Sequence, residues 1–262
     1  MIRVFNTRRV LAAFLCSALL GWQGGARADM LVAAAASLTN VFTELVMQFQ
    51  QANPGTKVLL SFAGSDTLAH QVSHGAPIDV FAPADHRAMQ RALDAKAIEQ
   101  GSLADFAGNS LVLIVPKSNP GGVRELGDLK SAAVSRVAIA NPALAPAGRY
   151  AQAGLQMAGL ADAVKQREVL AQNVRQVLDY VARGEVDAGV VFATDAAIKA
   201  DQVTVVAPID LPEPVRYPIA LVNREGRHPL ATAFLKFVLS PQGRQVLERH
   251  GFQQVTGTQV KG

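Results

Sequence analysis

Residues Ala33 to Asn40 read AAAASLTN. A short apolar run ends at Ser37, and Val41, Phe42, Leu45, Val46 and Phe49 then recur at the spacing of one helical face. The pattern predicts a strand that delivers a hydroxyl to a helix entrance. The first N–H groups of a helix have no intrahelical acceptor, and the positive end of the macrodipole lies there, so an entrance of this kind suits an anion.

The same arrangement recurs outward from this stretch. Val58 to Phe62 reads as a strand, and Ala63-Gly64-Ser65-Asp66-Thr67-Leu68 turns it into a helix, with Gly64 permitting close backbone approach and Ser65 offering a hydroxyl. Asn141-Pro142 followed by Pro146-Ala147-Gly148-Arg149-Tyr150 opens a third helix with small residues. Asn173-Val174-Arg175 begins a fourth, with Asn173 as its N-cap. Any one of these alone is an ordinary cap. Together they predict a binding cleft, because ligands of open α/β proteins lie beyond the carboxyl ends of the strands.

Strand-like runs at Leu31 to Ala35, Lys57 to Phe62, Ile78 to Ala82, Leu111 to Pro116, Val137 to Ala140, Ala188 to Phe192 and Val203 to Ala207 alternate with amphipathic segments. These segments lie near Leu38 to Phe49, Asp66 to Val72, Arg87 to Ala95, Gly148 to Met157 and Val174 to Ala182. Such alternation predicts an α/β fold. Two strand-like segments, Ser110 to Pro116 and Tyr217 to Val222, bracket a stretch long enough to be an α/β unit by itself. The expected division is a discontinuous lobe I, residues 29–109 and 218–262, and a lobe II, residues 110–217. The tail, with Leu230, Phe234, Phe237 and Val238 and then Pro241 opening a last helix, is expected to pack on lobe I.

Residues 1–28 read as a secretory signal peptide: Arg3, Arg8 and Arg9 precede an apolar run from Val10 to Trp22, and Ala26-Arg27-Ala28 predicts cleavage after Ala28. That run is too short for a membrane span, and Leu15 before Cys16 is bulky where a lipid-attachment site wants a small residue. The expected address is the periplasm. The segment carries four of the 25 basic residues and no acidic one, so the mature chain holds 21 of each sign. The apparent basicity belongs to the leader and is no argument for nucleic acid as a partner. Cys16, the only cysteine, leaves with it, and disulfide and thiolate chemistry leave too.

The motifs of nucleophilic hydrolases, P-loops and zinc peptidases are absent, so no enzyme is expected. His70 and His74 stand four apart on an expected helix without a third ligand, and read as surface residues. Asp79 and Asp85 read as turn and cap residues. Iron capture would want clustered tyrosines, whereas Tyr150, Tyr180 and Tyr217 are dispersed.

In order along the chain, AAASLTN, SFAGSDTLA, GAPIDVFAPAD, GNSLVLIVPK, PAGRYA, NVRQVL, DAGVVFATDA and RYPIALV make a set that resembles the periplasmic molybdate-binding proteins of binding-protein-dependent transporters. The resemblance implies a two-lobed periplasmic binding protein of type II. Each lobe would be a mixed, mainly parallel sheet flanked by helices, with the ligand in the interlobe cleft. It further implies capture of molybdate or tungstate without a cofactor, with no metal beyond that of the anion. Delivery would be to a membrane permease driven by a cytoplasmic ATPase, by a monomer. Sulfate or phosphate is the alternative ligand.

Carried over residue by residue, the anion contacts are the hydroxyl and N–H of Ser37 and Ser65 and the N–H groups of Ala147 and Val174. The fifth position departs from the family. Phe192 stands where relatives usually have a tyrosine that donates to the anion, a loss of about 1.5–3 kcal/mol unless a water or a neighbouring hydroxyl compensates. Tyr150 and Thr194 are the expected substitutes. Arg149 and Arg175 are expected to point outward as solvated first-turn residues, and Asp66 to stabilise its own helix N-terminus from outside the cleft.

Overall fold

Strands and helices alternate into two five-stranded sheets. The computed structural model describes residues 29–255; the expected leader and its cleavage site lie outside them. The strands are β1 (Met30–Ala35), β2 (Val58–Ala63), β3 (Val80–Ala82), β4 (Ala104–Asn109), β5 (Leu111–Pro116), β6 (Val137–Ala140), β7 (Glu168–Ala171), β8 (Ala188–Phe192), β9 (Val203–Ile209) and β10 (Val215–Leu221). The helices are α1 (Thr39–Ala52), α2 (Ser65–Ser73), α3 (His86–Asp94), α4 (Pro146–Met157), α5 (Ala161–Lys165), α6 (Val174–Ala182), α7 (Ala193–Ile198), α8 (Ala231–Leu239) and α9 (Pro241–Arg249).

The first sheet has the order β2-β1-β3-β10-β4, the second β7-β6-β8-β5-β9. Each is mixed in the same way. In the first, β1 runs parallel to β2 and β3, and β10 runs antiparallel to β3 and β4. In the second, β6 runs parallel to β7 and β8, and β5 runs antiparallel to β8 and β9. The antiparallel pairings come from the segments that pass between the sheets, since β4 leads directly into β5 and β9 returns to β10.

Period-two alternation puts the two faces of β1 into different cores. Val32 and Ala34 face α1, α8 and α9, whereas Ala33 joins Leu68, Val72, Phe81 and Met89 under α2 and α3. The stripe on α1 is the expected one, Val41, Phe42, Leu45, Val46 and Phe49, all buried. Phe49 meets Phe234 of α8 edge-on at 5.2 Å, and Phe42 meets Phe106 of β4 at 5.8 Å. Burial of each such ring contributes about 1.5–3 kcal/mol, which anchors the C-terminal helices on the first sheet.

Several elements differ from the expected set, among them the short helices α5 and α7, which the pattern did not mark. β4 carries Gly108 and Asn109, poor strand formers, and β7 is only four residues long; pairing with β10 and β6 holds them. Strand β10 starts at Val215 rather than Tyr217, because Val215 and Arg216 also pair with β4, and the register shifts between Tyr217 and Pro218. Among the described residues no helix is long and apolar enough to cross a membrane.

Candidate oxyanion-binding cleft

Ser37 lies in a 3-10 turn, Ala36–Leu38, between β1 and α1. Ser65 is the first residue of α2, Ala147 follows Pro146 at the start of α4, and Val174 opens α6. All four are buried, none exposed by more than 3%. Their N–H groups belong to first turns, beyond reach of intrahelical carbonyls. No side chain caps the turn at Ala35, α2 at Gly64 or α4 at Ala145. Helix α6 is capped by Asn173, as expected, but its Oδ1 accepts from the N–H groups of Arg175 and Gln176 and so spares that of Val174.

The entrances converge across the two sheets. The Asp66 N–H donates to Leu144 O at 3.1 Å, and Arg175 Nη2 donates to Ser37 O at 3.1 Å. Gly64 is required where they meet, since a Cβ there would stand 2.3 Å from Leu144 O and 3.0 Å from Gln172 O. Those carbonyls lie just ahead of α4 and α6, so the cleft is closed in this structure.

Both serine hydroxyls are held from behind. Ser65 Oγ accepts from the Ala84 N–H at 3.0 Å, which leaves its proton free. Ser37 Oγ is 3.1 Å from the Tyr217 hydroxyl. Phe192, buried at the end of β8, packs its ring against Tyr150 at 6.2 Å and Tyr217 at 5.8 Å. Of the expected substitutes for its missing hydroxyl, Thr194 accepts from Asn109 Nδ2 at 2.8 Å, which leaves its own proton free. Tyr150 stays a neutral phenol: burial first, then the charge of Asp85, raises its pKa.

The charged residues correct three expectations. Arg149 does not point outward. Its Nη1 donates to Asp66 Oδ2 at 2.5 Å and Pro142 O at 2.8 Å, while Nη2 and Nε reach Asp85 Oδ2 at 2.5 and 3.1 Å. Arg175 does not point outward either, with Nε 2.5 Å from Asp195 Oδ1 and Nη1 2.7 Å from Asn40 Oδ1. Asp66 is not outside the cleft but buried, with Arg91 a second cation at 3.1 Å. A first-turn arginine has a stem long enough to reach carboxylates on a different element, and the spacing of residues along the chain gives no sign of a partner on the opposite sheet.

Three arginines, 91, 149 and 175, thus face three aspartates, 66, 85 and 195, and the local formal charge is zero. Burial pushes the Asp195 carboxyl up to about 6, against the pull of Arg175. Burial also works against the charge of Arg149, but Asp85 and Asp66 outweigh it and its pKa rises.

Asp85 is the N-cap of α3, as expected, accepting from the Ala88 N–H at 2.9 Å. Asp79 locks a turn, accepting from the N–H groups of Leu31 and His228. His70 and His74 stack with centroids 4.0 Å apart, both exposed. Among the described residues no three His, Cys, Asp or Glu side chains are grouped to hold a metal ion. The sequence reading missed Tyr217 and Asn109 as site residues. The only local signal was a tyrosine and an asparagine at buried strand positions, where a polar group must find a partner.

Two α/β sheets whose helix entrances meet face to face define a two-lobed solute-binding protein. A family model for bacterial extracellular solute-binding proteins matches residues 30–253. The chain belongs to this family, whose members bind solutes rather than catalyse reactions. It is 38% identical over 240 residues to the molybdate-binding protein ModA of Escherichia coli, covering 87% of this chain and 91% of that protein. It is 33% identical over 250 residues to the protein of the same name from Haemophilus influenzae, covering 92% and 96%. The fold is similar to that of the periplasmic molybdate-binding protein of Azotobacter vinelandii, with a TM-score of 0.75 at 23% identity, covering 87% of this chain and all of that one.

Proposed function

We propose that this chain captures molybdate, and tungstate as its near-isosteric analogue, and hands it to an ABC importer. The observation that carries the reading is the set of four buried helix entrances, apposed across the two sheets, two of them with a serine hydroxyl whose oxygen has a protein partner. Such groups are donors, and a fully deprotonated tetrahedral anion offers only acceptors. The names of the Escherichia coli and Haemophilus influenzae relatives supply the identity of the anion.

In this reading Ser37 and Ser65 contact the anion from lobe I through N–H and hydroxyl, and Ala147 and Val174 contact it from lobe II through N–H. Phe192 occupies the fifth position without a donor. The lobes, residues 29–109 with 218–262 and residues 110–217, turn about the two crossings between the sheets and bury the anion. The attraction comes from helix termini and oriented dipoles, because each nearby arginine is already neutralised by an aspartate. The chain is exported by its leader, cleaved after Ala28, and acts in the periplasm as a monomer that docks on a membrane permease powered by a cytoplasmic ATPase.

Isothermal titration with molybdate, tungstate, sulfate and phosphate tests the reading. Molybdate and tungstate are expected to bind far more tightly than the other two. Sulfate or phosphate binding more tightly than molybdate would move the protein to a different oxyanion class.

A further inference from the structure

Tyr217 lies far from every helix entrance in sequence, yet its hydroxyl is buried against Ser37, and the protein fixes which way the protons in that contact run. The backbone N–H of Ser110 donates to Asn109 Oδ1 at 2.9 Å, and a backbone N–H can only donate, so the amide orientation of Asn109 is settled. Its Nδ2 therefore donates, to Thr194 Oγ1 at 2.8 Å and to Tyr217 Oη at 3.2 Å. The Tyr217 side chain is fully buried, and Ser37 Oγ at 3.1 Å is the partner left to take its proton. Ser37 then accepts from Tyr217, and its own proton is free to point into the cleft.

We infer that Tyr217 is a positioning residue for anion binding, the middle member of a one-way relay from Asn109 through Tyr217 to Ser37 that forces the Ser37 hydroxyl to act as a donor toward the ligand. The inference rests on the oxyanion reading above and adds a residue to it. Chains of hydrogen bonds polarise one another, so a relay ending at an anion strengthens its last bond. The relay also bears on Phe192, whose ring lies 5.8 Å from that of Tyr217. With the direct phenolic donor lost, a second phenol acts one bond further back, through a serine. Burial first, and the charge of Asp195 next, raise the Tyr217 pKa, so the proton the relay needs stays on the oxygen.

Titration of molybdate into the full mature chain tests this. Tyr217→Phe keeps the ring and removes the hydroxyl, and is expected to weaken binding about tenfold. In a Ser37→Ala background the same change is expected to have no effect within about twofold, the usual limit of additivity. A protein filling space at residue 217 would not show that coupling. Asn109→Asp provides an independent arm: its carboxylate would take the Tyr217 proton and reverse the relay, so its effect should also shrink in the Ser37→Ala background, whereas plain charge repulsion would persist there. Wild-type affinity in Tyr217→Phe, or losses that simply add to that of Ser37→Ala in both series, would overturn the relay. Failure of the wild-type chain to bind molybdate at all would instead overturn the functional reading.

Discussion

Arg149, on the first turn of α4, sets its guanidinium 2.5 Å from the carboxylate of Asp66 on α2, so a bond between charges spans the two sheets at the mouth of the cleft. Both side chains are largely out of solvent, and Asp85 holds the other edge of the guanidinium. The contact exists only when α4 and α2 are apposed. It therefore stabilises the closed form against the open one.

Replacing Arg149 by methionine removes this clasp and keeps most of the volume. A buried carboxylate stripped of its partner costs about 3–5 kcal/mol, reduced here because Arg91 remains near Asp66. The melting temperature of the molybdate-bound protein is expected to fall more than that of the ligand-free protein, since only the closed form loses the bond. Adding Asp66→Asn should restore part of the loss. Equal shifts with and without ligand, followed by calorimetry, would show that the pair has no role in closure.

Gly64→Ala tests closure through sterics alone. The added methyl would meet the Leu144 carbonyl oxygen at 2.3 Å, backbone that cannot swing aside. The ligand-free protein should melt almost as the wild type does, while the ligand-induced rise in melting temperature and the contraction seen by small-angle scattering should be lost. A normal contraction in the variant would mean that the lobes meet elsewhere.

In the proposed site, Ser37→Ala and Ser65→Ala each delete a hydroxyl donor to the anion. A loss of about 1.5–3 kcal/mol in binding free energy is expected for each, read by titration calorimetry. Unchanged affinity in both variants would remove these residues from the site.

The buried carboxyl of Asp195 gives a pH dependence of defined sign. With its pKa raised to about 6, the folded protein holds this proton over a range in which the unfolded chain, near 3.8, has released it. The folded state then binds more protons than the unfolded one, and stability falls as pH rises from about 4 to about 6. Asp195→Asn abolishes this contribution. Urea unfolding at pH 4, 5, 6 and 7 should show the wild type losing stability relative to the variant across that window and not beyond it. Parallel curves would contradict the assignment.

The apolar stripe of α1 and the capping of α3 by Asp85 and of α6 by Asn173 were legible from order and spacing, because each is settled within a few turns of chain. The arginines were misread for the opposite reason. Their partners, Asp66 and Asp85 for Arg149 and Asp195 for Arg175, stand 20 to 83 positions away in sequence. The role of Tyr217 beside the site was missed likewise, since Ser37 is 180 positions away.

From the sequence by itself came an α/β chain of strand-to-helix entrances with donors at fixed places, because hydrophobic periodicity and capping chemistry act locally. Only the tertiary structure decided which charges neutralise one another across the cleft and which way the Ser37 proton points, because those depend on groups that folding alone brings within hydrogen-bond reach.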